Sequence, residues 1–112
     1  MEVKERESPL ITTTHVTIRP DRRKEFFQTI APLTEKIRKE KGCVTYQLYA
    51  HAGDENTLLL LEEWDAEAQW NEHRKSENFA VLLGLVSVLC IKAKVDFKLL
   101  SQIGGNEVIR QS

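Results

Sequence analysis

Hydrophobic positions along the chain recur either every second residue or at steps of three and four, and the switches between these periods divide it into elements. Leu10 to Arg19 (LITTTHVTIR) is rich in β-branched residues and reads as a first strand, ended by Pro20. Phe26, Ile30, Leu33 and Ile37 then fall on one helical stripe against a charged face. Asp21 is placed to cap this helix, and Gly42 to close it in the left-handed conformation. Pro32 lies inside it, where it removes a backbone hydrogen bond and predicts a bend. Cys43 to Ala50 reads as a second strand, His51 to Asn56 as a turn, and Thr57 to Trp64 (TLLLLEEW) as a third strand. Asp65 is placed to cap a second helix with Glu67 in its first turn. That element is expected to break near Ser76, where a polar stretch gives way to an apolar one reaching Leu89. From Ile91 to Leu99, apolar residues alternate with Lys92, Lys94, Asp96 and Lys98, the pattern of an edge strand with a lysine-bearing solvent face.

The β-α-β-β-α-β order is the split βαβ arrangement of an α+β, ferredoxin-like domain with an antiparallel sheet, strands one and three central and strands two and four at the edges. Leu58 to Leu61 then falls on a central strand, and a run apolar on both faces needs cover on both. Helices supply one cover. A second copy of the chain is the economical choice for the other, so a homodimer with its sheets face to face is expected. The domain is expected over residues 10–105, between a frayed leader at 1–9 and a tail at 106–112.

Length and charge narrow the function classes. A chain of 112 residues fits a single core. Sixteen Lys and Arg against seventeen Asp and Glu leave a net charge of -1, without the basic face that nucleic acid requires. The short basic stretch Arg19 to Lys24 reads as a solvated corner. Residues 1–8 have no apolar core of a signal peptide, and the apolar run from Phe79 to Ile91 is interrupted by Gly84 and Ser87 and too short for a bilayer. A cytoplasmic protein without a membrane partner is expected. Cys43 and Cys90 lack CxxC spacing and read as free thiols, and His15, His51 and His73 fall on different elements, so no metal site is expected.

From Gly42 to Phe79 the sequence GCVTYQLYA, followed by LLLLEEWDAEAQWNEHRKSENF, resembles the antibiotic biosynthesis monooxygenase family. That family's pattern sets a glycine and a tyrosine-bearing strand before a strand ending in Glu-x-Trp, then a helix with His-x-x-Ser-x-His-Phe. The matching positions are Gly42, Tyr46, Glu62, Trp64, His73, Ser76 and Phe79, while Asn78 stands where the pattern has its second histidine. The resemblance implies a dimeric α+β barrel with a pocket between helices and sheet in each subunit. Many members oxidise electron-rich phenols, hydroquinones or anthrones with O2 and neither metal nor flavin. Others isomerise small molecules or degrade heme. The heme-degrading branch uses an asparagine on the first strand, a tryptophan on the second helix and a histidine ligand beyond it. Thr14, His73 and Leu83 occupy those places here, and leucine cannot ligate iron. The implied activity is therefore a cofactor-independent monooxygenation of a small electron-rich aromatic.

Within that frame His73 is the candidate proton acceptor, because imidazole titrates nearest neutrality. The competing reading is a surface histidine between Glu72 and Arg74. Trp64 offers a stacking surface, and Tyr46 and Phe79 offer cavity walls, though each also suits plain core. Glu62 shares the face of Trp64 by the strand period, and a carboxyl beside an indole in a dry pocket would titrate high. A salt bridge to a helix lysine or arginine is the alternative. Thr14 shares a parity with Val16 and Ile18 and is expected on the helix-covered face. Two other classes remain open: a small-molecule-binding module without turnover, and an isomerase using His73 and Glu62 as acid and base. Oxygen consumption separates the first reading from these two.

Overall fold

Residues 9–91 and 96–100 are described by a computed structural model. The elements are β1 (Leu10–Thr17), α1 (Arg23–Arg38), β2 (Cys43–His51), β3 (Asp54–Trp64), α2 (Glu67–Arg74), α3 (Glu77–Leu89) and β4 (Asp96–Leu100). All pairings are antiparallel in the order β2-β3-β1-β4, so β1 and β3 are central as the split βαβ order requires. Residues 1–8 of the expected leader, the expected tail and residues 101–105 before it lie outside the described residues, as do residues 92–95 of the last strand. No helix among the described residues is long and apolar enough to cross a membrane.

The register sorts every side chain onto one of two faces. Thr12, Thr14 and Val16 of β1 stand opposite Glu62, Leu60 and Leu58 of β3, and Tyr46 and Leu48 of β2 stand opposite Glu62 and Leu60. This face packs against α1 through Phe26, Ile30, Leu33 and Ile37, and against α3 through Leu82, Leu85 and Leu89. Ile11, Tyr49, Leu59 and Leu61 point to the other face, and no helix among the described residues covers them. Leu58 and Leu60 are thus the buried half of the leucine run, while Leu59 and Leu61 are only half-buried.

Three helix boundaries depart from the sequence reading. Asp21 does not cap α1: it lies inside a single 3-10 turn, Pro20–Arg22, because Pro20 favours the first position of that turn, and Arg22 precedes α1 without a side-chain cap. Asp65 does not cap α2, because its backbone N–H is bonded to the Gly42 carbonyl at 2.8 Å and the helix starts after Ala66. Gly42 has φ +85°, as its left-handed role requires, but α1 ends earlier, at Arg38, and a turn through Lys39 to Lys41 separates the two. α1 runs unbroken through Pro32. The proline is exposed, and Gln28, whose carbonyl loses its amide partner, is exposed too, so water replaces the missing bond at little cost. The break near Ser76 is present. The Ser76 hydroxyl accepts the Phe79 N–H at 3.1 Å and caps α3.

Candidate functional site

The strand register places three polar side chains in one row beneath the helices: Tyr46 and Thr12 flank Glu62 from the two neighbouring strands. All three are buried, at 1%, 0% and 3% exposure. α2 lays His73 over this row, because Ala66, Trp70 and His73 recur at i, i+4 and i+7 and form its buried stripe. The His73 ring stacks on Trp64 at 4.6 Å and 28° and meets Phe79 edge-on at 5.3 Å. His73 is thus 1% exposed, which overturns the surface reading.

The polar contacts form a chain. The Trp64 Nε1–H donates to Glu62 Oε1 at 2.9 Å, and His73 Nε2 lies 3.9 Å from the same oxygen. On the other side of the ring, Nδ1 is hydrogen-bonded to Glu40 Oε1 at 2.9 Å, and Asn78 Nδ2 donates to Glu40 Oε2 at 2.8 Å. Asn78, in place of the pattern's second histidine, therefore serves to hold Glu40. Burial pushes the Glu62 carboxyl above the usual carboxylate range, opposed by the Trp64 N–H, the His73 ring and the nearby Thr12 hydroxyl, and aided by the Glu40 charge. Among the described residues, Thr12 Oγ1, Tyr46 Oη and His73 Nε2 find no completed hydrogen bond, so the surroundings of Glu62 hold unused donors and acceptors. Burial likewise raises the Tyr46 phenol far above its usual range, with the Glu62 charge adding to it. The expected salt bridge from Glu62 to a helix lysine or arginine does not form; its partners are Trp64 and His73.

Glu62 opens onto a cavity of about 510 Å³ between sheet and helices. Its walls are apolar, with Phe26, Trp70 and Phe79 as the aromatic members, and Thr14 and Leu83 face it from β1 and α3. Of the six residues singled out from sequence, Glu62, Phe79 and Thr14 line this cavity. His73, Trp64 and Tyr46 do not; they form a buried layer behind Glu62. Trp64, at 0% exposure, cannot stack on a cavity ligand and instead fixes the carboxyl. Sequence reasoning missed Glu40, Trp70, Arg74 and Lys75. The stripe from Ala66 to His73 could have found Trp70, whereas Glu40 in the run Lys39-Glu40-Lys41 reads like any solvated charge.

Cys43 and Cys90 are free, and burial pushes both up to about 11, so neither is a ready nucleophile.

A four-stranded antiparallel sheet with helices on one face and a buried carboxyl in an apolar cavity makes a candidate small-molecule site on a ferredoxin-like α+β domain. The family model for antibiotic biosynthesis monooxygenase matches residues 9–82, and the chain belongs to that family. It is 30% identical over 70 residues to "Putative monooxygenase YcnE" of Bacillus subtilis, a match covering 62% of this chain and 74% of that one. It is 27% identical over 78 residues to the uncharacterised protein sll1783 of Synechocystis, covering 70% of this chain and 53% of that one. Among solved structures, Rv0793 from Mycobacterium tuberculosis superposes with a TM-score of 0.79 at 25% identity, over 88% of this chain and 99% of that one.

Proposed function

We propose that the protein is a cofactor-independent monooxygenase that oxidises a small electron-rich aromatic, of the phenol, quinol or anthrone type, with O2. The observation that carries this reading is the one carboxyl buried among the described residues, Glu62, set in a 510 Å³ apolar cavity and backed by His73. A cavity of this size fits a two- or three-ring aromatic. Its dry walls make a carboxylate there a stronger base than in water. A neutral phenol gives an electron to O2 poorly, and a phenolate does so readily, so removing one proton is the main task of the protein. Glu62 accepts that proton, with His73 Nε2 3.9 Å behind it. The anion passes one electron to O2, the radical pair combines at carbon, the resulting peroxide takes the proton back from Glu62, and the hydroperoxide loses water. One oxygen atom stays in the product carbonyl and the other leaves as water. The protein contributes positioning, exclusion of solvent and the proton acceptor.

This assignment moves the proton acceptor from His73, or a water it holds, to Glu62 in contact with the ligand with His73 behind it. Metal-free and flavin-free protein is expected to accelerate O2 uptake with a member of a panel of hydroquinones, dihydroxynaphthalenes and anthrones. Glu62→Gln, which preserves shape, is expected to lower that rate by about 10²-fold, the usual contribution of a positioned base. Uptake no faster than buffer across the panel would end the monooxygenase reading. Unchanged uptake in the Gln variant would keep it and discard this base.

A further inference from the structure

The cavity lining carries charge of both signs, a buried carboxyl that marks its inner end and two exposed cations that mark its outer one. Among the described residues lining it, the charged ones are Glu62 on the sheet, with 4% of its side chain exposed, and Arg74 and Lys75 where α2 ends. Between them the lining is almost wholly apolar. Arg74 does not lie loose on the surface: its guanidinium stacks over the Trp70 ring at 4.6 Å, and Trp70 is itself a cavity wall. Lys75 is 3.6 Å from the Glu72 carboxylate, but both are about three-quarters exposed, so that pair is easily exchanged for another anion. No ion pair to a carboxylate is formed by Arg74 among the described residues.

These two ends make opposite demands on a ligand. A buried carboxyl repels an anion and accepts a hydrogen bond from a hydroxyl, so the inner end of the ligand is a neutral donor. A guanidinium held over an indole at a wet rim presents its donors to a planar acceptor and cannot lose its charge. We propose that Arg74 and Lys75 form an anion subsite at the mouth of the cavity, and that the ligand is an aromatic with a hydroxyl at the inner end and a carboxylate at the outer one. The proposal deepens the monooxygenase reading by naming the substrate class of the same site, and it rests on that reading for turnover though not for binding.

The probes are 6-hydroxy-2-naphthoate, its methyl ester and 2-naphthol, which share a hydroxylated ring system and are stable to air. Calorimetric titration at low salt is expected to show the acid binding about tenfold more tightly than the ester or 2-naphthol, the effect of one charge-assisted hydrogen bond. The preference should shrink as salt is raised, because the rim is wet. Arg74→Gln with Lys75→Gln should leave acid and ester binding with equal affinity, with the melting temperature checked to show that the variant is folded. Glu62→Gln should not increase the preference for the acid. Equal affinities in the unaltered protein, a preference that survives the double variant, or a preference that grows in Glu62→Gln would each overturn the proposal. Binding of none of the three probes would overturn it together with the aromatic-site reading, whereas tight, charge-dependent binding without O2 uptake would uphold the subsite and remove only the monooxygenase.

Discussion

At the scale of single residues, the site is governed by one uncomfortable group. Glu62 is buried among Trp64, Tyr46 and Thr12, and burial raises its pKa from the ordinary 4.5. A carboxyl whose pKa is higher folded than unfolded binds protons more tightly in the native state, so its contribution to stability is fully present below about pH 4.5 and is lost as pH rises through the folded value. Glu62→Gln removes that loss while keeping an oxygen to accept the Trp64 N–H. The variant is therefore expected to melt higher than the unaltered protein at neutral pH, with the gap closing as pH falls towards 4.5. Thermal melts across that range test it, and a gap independent of pH would show that Glu62 is not raised. The same titration predicts that kcat/KM climbs with pH through the raised value. In the sequence, Glu62 and His73 were legible as candidates, but the layering was not. His73 sits between Glu72 and Arg74 and looks exposed by composition, and only the packing of α2 over the Thr12–Glu62–Tyr46 row buries it.

Element boundaries show the same division between what local pattern sets and what packing sets. The helical stripe from Phe26 to Ile37, the leucine run and the change of character at Ser76 are local, and each corresponds to an element of the fold. The two aspartate caps were misread because a cap depends on where the chain comes from: Asp65 is drawn to Gly42, and Asp21 follows a proline that starts its own turn. Gly42 makes this dependence testable. Its φ of +85° suits glycine, and a Cβ there would lie 2.2 Å from Gln69 Cγ and 2.5 Å from Gln69 Cβ on α2. The left-handed backbone costs a residue with a side chain about 1–2 kcal/mol, and displacing α2 adds to it. Gly42→Ala is expected to lower Tm by roughly 10 °C in a chain of this size. Adding Gln69→Ala should recover only part of the loss, because the Gln69 Cβ remains and the backbone strain is untouched. Full recovery in the double variant would assign the whole cost to the side-chain clash.

For the molecule as a whole, the two faces of the sheet are unequal. One carries the site and is roofed by α1 and α3; the other presents Ile11, Leu59 and Leu61 half-buried and Tyr49 about half exposed, with no element among the described residues above them. Apolar residues at the centre of an uncovered sheet are poorly explained by a solvated face, since an antiparallel sheet with one wet side alternates apolar with polar. β3 does not alternate between Leu58 and Leu61. We propose that a second copy covers this face, and that the protein sediments as a dimer at micromolar concentration. A stable contact between two such sheets would bury at least about 1,200 Å² in total. Leu61→Lys, at the centre of the open face, is then expected to give a monomer or a poorly soluble chain, because a desolvated ammonium would face its own symmetry mate. Val88→Lys is the control: it lies 61% exposed on α3, across the molecule from that face, and should leave the mass unchanged. A monomeric mass for the unaltered protein would mean that the leucine run is tolerated in water without a partner.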